Sequence, residues 1–149
     1  AGSLIHWDAH DKLRQHHGNN ARAIDKPVAA LVRDLKKRGM LDDTLVLFTT
    51  EFGRTPFSQA EGSVGTGRDH NRYGFSAWMA GAGLKPGTSY GRTDDIGWKV
   101  AENPVTWHDF HATVLHLLGL NHEHLTFYHN GIHRRLTNVH GRVIHDIIA

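Results

Sequence analysis

Val28, Leu31, Val32 and Leu35 recur at i, i+3, i+4 and i+7, the spacing of one buried helix face. Asp25 stands just before them as a cap. Pro27 falls in the first turn of that helix, where a missing N–H costs nothing. Gly39 follows the last apolar position and marks the helix end, because glycine accepts the left-handed conformation there. Residues 44–50, Thr-Leu-Val-Leu-Phe-Thr-Thr, form an unbroken apolar run rather than an alternating one. That pattern predicts a strand covered on both faces, as in a parallel sheet. Residues 75–80 predict a second buried strand, and residues 3–8 an extended apolar stretch that leads into a polar loop over 10–20. Thr106, with Asp109 three positions on, predicts the capped start of another helix. Its inner face would be Phe110, Val114, Leu117 and Leu118, and Gly119 would stop it. Hairpins are expected over 89–97 and 126–136, and a last apolar run over 143–148.

Helix, short loop and buried strand make half of a βαβ unit, so the pattern predicts an α/β fold. With no internal repeat and no low-complexity linker, the 149 residues read as a single unit. No apolar run approaches the roughly 20 residues of a membrane-spanning helix. Lys+Arg and Asp+Glu number 17 and 15, nearly balanced. The one basic run, Lys36-Lys37-Arg38, falls where cations suit a helix C-terminus, so it predicts no nucleic-acid surface.

Histidine changes the picture. There are 14, scattered from His6 to His145, and no cysteine. Disulfides, thiolate nucleophiles and cysteine-type zinc sites are therefore excluded. A metal site must be built from His with Asp or Glu, which suits zinc or manganese. In open α/β sheets functional groups gather beyond the carboxyl ends of the strands. Asp8 and His10 follow one expected strand, Glu51 and Arg54 another, and the next loop supplies Arg68, Asp69 and His70. Asp8, His10, Glu51, Asp69 and His70 are the candidate metal ligands, expected to close round one or two divalent ions. Arg54 has a second reading as a salt-bridge partner for Glu51.

These residues sit in motifs that resemble a known family. His6-Trp7-Asp8-Ala9-His10, Leu41-Asp42-Asp43-Thr44-Leu45-Val46, Glu51-Phe52-Gly53-Arg54-Thr55-Pro56 and Gly67-Arg68-Asp69-His70 are similar to those of an exported bacterial family, domain of unknown function 1501. The likeness runs on through Tyr90-Gly91-Arg92-Thr93-Asp94 and His108-Asp109-Phe110-His111 to Arg134-Arg135-Leu136-Thr137, nearly the whole chain. The family resembles a sulfatase-like branch of the alkaline phosphatase superfamily.

That resemblance implies a mixed, mainly parallel sheet between helices, with metals at the strand carboxyl ends. It implies hydrolysis of sulfate or phosphate esters, on a small molecule or a polysaccharide, with an exported or periplasmic location. Zinc is the first choice of ion, with manganese, calcium and magnesium as others, and Arg54 or Arg68 would offset charge developing in the reaction. Two departures stand out: Phe52 occupies a position where the superfamily places His or Asn, and Glu51 replaces Asp. The superfamily's nucleophile belongs to an earlier strand, so the chain reads as the C-terminal portion of such a domain. It is then expected to associate with a second copy or with an upstream segment. A non-catalytic metal- or ligand-binding protein on the same fold is the alternative.

Overall fold

The computed structural model describes residues 7–59 and 66–149. Its first element is a long helix, α1 (Leu13–Lys37). It takes up most of the stretch expected to be a loop, and Pro27 lies inside it rather than in its first turn. Lys12, the residue before it, is left-handed (φ 41°) and caps nothing with its side chain. The first backbone donors are satisfied from elsewhere. Leu13 N–H donates to the Thr66 carbonyl at 2.9 Å, and Lys12 N–H to the Thr66 hydroxyl at 3.2 Å. The expected apolar face is only half covered, with Val28, Val32 and Leu35 partly buried and Leu31 exposed.

Gly39 does end α1, in the left-handed conformation (φ 67°). Met40 N–H donates to the Leu35 carbonyl and Gly39 N–H to that of Lys36, a Schellman pair. The second helix, α2 (Trp107–Leu117), ends in the same way, with Leu120 bonded to Leu115 and Gly119 to His116. Its start is the expected capping box. The Thr106 hydroxyl accepts from Asp109 N–H, and the Asp109 carboxylate accepts from Thr106 N–H.

The strands overturn the expected sheet. β1 (Val46–Phe48) pairs antiparallel with β4 (Trp78–Ala80), and β2 (Gly53–Arg54) with β3 (His70–Asn71). β5 (Arg92–Thr93) pairs with β6 (Val100–Glu102), and β7 (Thr126–His129) with β8 (Ile132–Arg135) through the turn Asn130-Gly131. Among the described residues every sheet has two strands and none is parallel. A parallel pair needs a long crossover between its strands. Neither helix serves as one, so the mainly parallel sheet between helices does not form. The strand expected over 44–50 shrinks to three paired residues, the number that β4 offers it, and Leu47 and Phe48 remain exposed. In the first expected strand, Trp7 and Asp8 are irregular, and residues 3–6 lie outside the described ones.

The hairpin expected over 126–136 forms. The one expected over 89–97 forms slightly later, because the Asp94 carboxylate accepts from Trp98 and Lys99 N–H and sets the turn there. Among the described residues buried apolar side chains are few: Ala9, Phe110, Ala112 and Ile144. Phe110 belongs to the expected inner face of α2, but Leu118 is exposed and the fully buried places go to Ala112 and Thr113. The Thr113 hydroxyl donates to the Asp109 carbonyl at 2.8 Å and accepts from Ile144 N–H at 3.0 Å, which ties the C-terminal turn (His145–Ile147) to α2.

Partial burial pushes the Asp109 carboxyl upward. The Thr106 N–H and hydroxyl and the Arg142 N–H outweigh it and hold the group below the ordinary carboxylate range. A depressed folded value stabilises the fold fully above the unfolded pKa, and that contribution disappears as pH falls through the folded value. Asp109→Asn should therefore be less stable than wild type near neutrality, and the two should converge in strong acid. Urea unfolding followed by circular dichroism across that range checks it; a gap that persists in strong acid would show that the box does not titrate with Asp109.

Candidate metal centre

Ala9 is fully buried, and it anchors the segment that presents Asp8 and His10 on either side of it. The segment lies against the loop before β3: Arg68 N–H donates to the Ala9 carbonyl, and Gly67 packs on the His10 carbonyl with no room for a side chain. In the β2–β3 pair Arg54 stands opposite His70, and both reach Asp8. The cluster is thus assembled by a short antiparallel pair and a segment laid beside it, not by the edge of a parallel sheet.

The Arg54 guanidinium donates to Asp8 Oδ1 at 2.6 Å and also to the carbonyls of Trp7 and Arg68. It holds the Asp8 carboxyl well below the usual carboxylate range, with His70 as the next contributor. Asp8 Oδ1 lies 2.9 Å from His10 Nε2 and 2.9 Å from His70 Nε2, and the two ring nitrogens are 3.2 Å apart. His10 Nδ1 meets Gln59 Oε1 at 2.7 Å. A carbonyl oxygen only accepts, so Nδ1 carries the hydrogen and Nε2 of a neutral His10 presents a lone pair to the cluster. With both rings neutral, one hydrogen at most, on His70 Nε2, points into the triangle. A second positive species, a proton or a cation, is then needed to join His10 Nε2 to Asp8 Oδ1. Phe52 stacks on His70 with ring centroids 4.0 Å apart, packing against the imidazole.

Two imidazoles and one carboxylate, each with one donor atom within 4.8 Å of the others, are a donor set that zinc takes with one position left open. Donors at about 2.0–2.2 Å from a tetrahedral ion sit roughly 3.3 Å apart, so the triangle needs to open by only a few tenths of an ångström. The residues fit the ion.

Among the described residues Asp8, His10 and His70 are the group of three so placed. Glu51 is not in it. Beyond Phe48 the chain turns away before β2, and the exposed Glu51 carboxylate takes only a long contact, 3.4 Å, from the Thr50 hydroxyl. Arg54, offered as its partner, is bound to Asp8 instead. Asp69 accepts from His70 N–H at 2.7 Å and holds the backbone of β3 rather than joining the cluster. Arg68 donates to the neighbouring Gly67 carbonyl. Sequence reasoning missed Gln59, which orients His10 from a loop with no periodic signal.

The family model described as "Protein of unknown function (DUF1501)" matches residues 2–148. No curated protein and no solved structure matches the chain.

Proposed function

This chain belongs to the DUF1501 family, and from that premise we propose that Asp8, His10 and His70 hold a divalent ion, zinc first, in a centre of sulfatase-like descent serving hydrolysis of sulfate or phosphate esters. The observation that carries the metal reading is the triangle of Asp8 Oδ1 and two Nε2 atoms, in which the lone pair of His10 Nε2 faces Asp8 Oδ1 with no hydrogen between them when both imidazoles are neutral. Descent from the sulfatase-like branch of the alkaline phosphatase superfamily rests on the motifs around Asp8, Glu51 and His70, and not on the fold. An exported location is proposed on the same resemblance.

When bound, a divalent ion supplies Lewis-acid charge to the non-bridging oxygens of an ester. The chain's own groups prepare that place. Gln59 fixes the ring of His10, Phe52 supports that of His70, and Arg54 orients Asp8 while keeping its charge at the rim. Arg54 is thus a positioning residue that also contributes positive potential. Arg68, turned onto Gly67, is less suited to an anion.

A second reading, binding without turnover, is favoured by exposure: the side chains of Asp8, His10 and His70 are 56%, 40% and 44% exposed. Small-molecule sites usually bury most of their ligand. Calorimetric titration with zinc should give one strong site per chain. Aryl sulfates and phosphate mono- and diesters, offered to the zinc-loaded chain, then separate the readings. Zinc binding without turnover supports the second, and absence of zinc binding sinks both.

A further inference from the structure

Three aromatic side chains gather beside the metal centre. Phe57 and Tyr73 each pack on Trp98, with ring centroids 5.2 and 5.5 Å apart and planes tilted at 50° and 49°. Phe57 is 53% and Tyr73 44% exposed, and Trp98, common to both contacts, is half-buried. The row is tied to the residues that build the centre. Phe57 stands two positions before Gln59, whose side chain holds His10. Tyr73 stands three positions after His70, and the buried Asn71 joins the two stretches. Its Nδ2 donates to the Trp98 carbonyl at 2.9 Å, and its Oδ1 accepts from Tyr73 N–H at 3.0 Å.

Tyr73 also carries two cations. The Arg72 guanidinium lies 5.0 Å from its ring centroid and donates to its hydroxyl at 3.3 Å, and Lys99 Nζ lies 5.6 Å from the same centroid. The Asp94 carboxylate is taken up by the Trp98 and Lys99 backbone N–H groups. Among the described residues neither cation forms a salt bridge. Two like charges held on one ring repel each other, and an anion that meets both relieves the repulsion. Phe57 adds an open apolar face on the other side of Trp98.

We propose that this row binds a glycan bearing sulfate or phosphate esters, with a sugar ring on Phe57 and Trp98 and an anionic group on Arg72 and Lys99. This names a substrate class for the metal centre and rests on the ester chemistry proposed above. The C–H face of a sugar ring carries slight positive charge and suits the negative face of an aromatic ring. An esterified sugar holds its anion directly on that ring, at a short fixed distance, which matches cations placed beside an apolar ring face. An acidic peptide carries its apolar and anionic groups on separate flexible side chains. A nucleic-acid strand stacks planar bases on successive ring faces, and rings tilted at 49° and 50° offer no parallel pair for that. The exposure of Asp8, His10 and His70 also suits a chain laid across the surface better than a small molecule enclosed by it.

Calorimetric titration of the full chain with dextran sulfate, with and without zinc, tests it, beside poly(dT) and polyglutamate. Dextran sulfate should bind both forms of the chain, and more tightly than the other two polyanions at equal charge. Phe57→Ala changes no charge and should weaken that binding about five- to tenfold, the cost of one lost stacking face. Arg72→Gln with Lys99→Gln should weaken it and lower its dependence on salt. Lys36→Gln with Lys37→Gln, the same loss of charge in the last turn of α1, should leave it unchanged. Should Phe57→Ala fail to fold, hydrogen exchange of the wild type decides: amides within 71–74 and 98–100 should gain protection with dextran sulfate. Binding that a folded Phe57→Ala leaves intact, equal weakening by the two double variants, tighter binding of poly(dT) or polyglutamate, or exchange unchanged at 71–74 and 98–100 would each overturn the proposal. A chain that binds dextran sulfate in the expected pattern but cleaves no ester leaves the row standing and sinks the hydrolytic reading alone. Ester turnover without dextran sulfate binding does the reverse.

Discussion

Asp8→Asn is expected to weaken zinc binding by at least about a hundredfold. Changing a group that merely orients a metal-binding histidine typically costs 10–100-fold in affinity, and loss of a direct ligand costs no less. Asp8 is the anionic donor of the triangle, so its amide removes charge as well as geometry. Asparagine can still accept from Arg54, which keeps the segment in place and isolates the electrostatic part. Gln59→Leu tests the layer behind: His10 would lose the acceptor that fixes its ring, and affinity should fall by about 10–100-fold. Glu51→Gln and Asp69→Asn are the discriminating controls. Both carboxylates are expected as ligands from the sequence, yet both lie outside the group of three, so neither change should move the zinc titration. Competition against a chromogenic chelator measures all four. An unchanged affinity in Asp8→Asn, or a collapse in Glu51→Gln, would show that the ion sits elsewhere.

What could be read ahead of the structure was local. The stops at Gly39 and Gly119, the Thr106–Asp109 box and the hairpin over 126–136 depend on a few neighbouring residues, and each formed. The start of α1 did not announce itself, because its cap is supplied by Thr66, 54 positions further along the chain, rather than by a residue at the helix end. The half-exposed face of α1 also thins the apolar period that would reveal a longer helix. Residues 44–50 carry a pattern of burial that the described residues do not provide, and that pattern is what predicts a parallel sheet. The grouping of Asp8, His10 and His70 was legible in composition and motif. The route to it was not, since the expected common sheet edge is replaced by the cross-strand pair of Arg54 and His70.

Gly67→Ala should be strongly destabilising. A Cβ there would overlap the His10 carbonyl carbon and oxygen and crowd the Asp11 nitrogen, and backbone atoms cannot rotate aside as a side-chain tip can. To admit the methyl group, the 7–12 segment must part from the 66–70 loop. That movement strains the Arg68–Ala9 bond and both Thr66 bonds that cap α1, and it separates His10 from His70. Overpacking and a lost cap together imply a loss of about 2–4 kcal/mol. Zinc affinity should fall with it, although no ligand has been changed. Gly18→Ala is the same chemical change with the opposite sign. It lies inside α1, where the added methyl meets only the tip of Arg22 at 3.6 Å, and a glycine replaced there should gain about 0.5–1 kcal/mol. Urea unfolding of the two variants beside the wild type, with zinc titrations of each, makes the comparison. If Gly67→Ala were as stable as Gly18→Ala and bound zinc as the wild type does, the 7–12 segment would not be seated on the loop, and the cluster that depends on that seat would not exist as described.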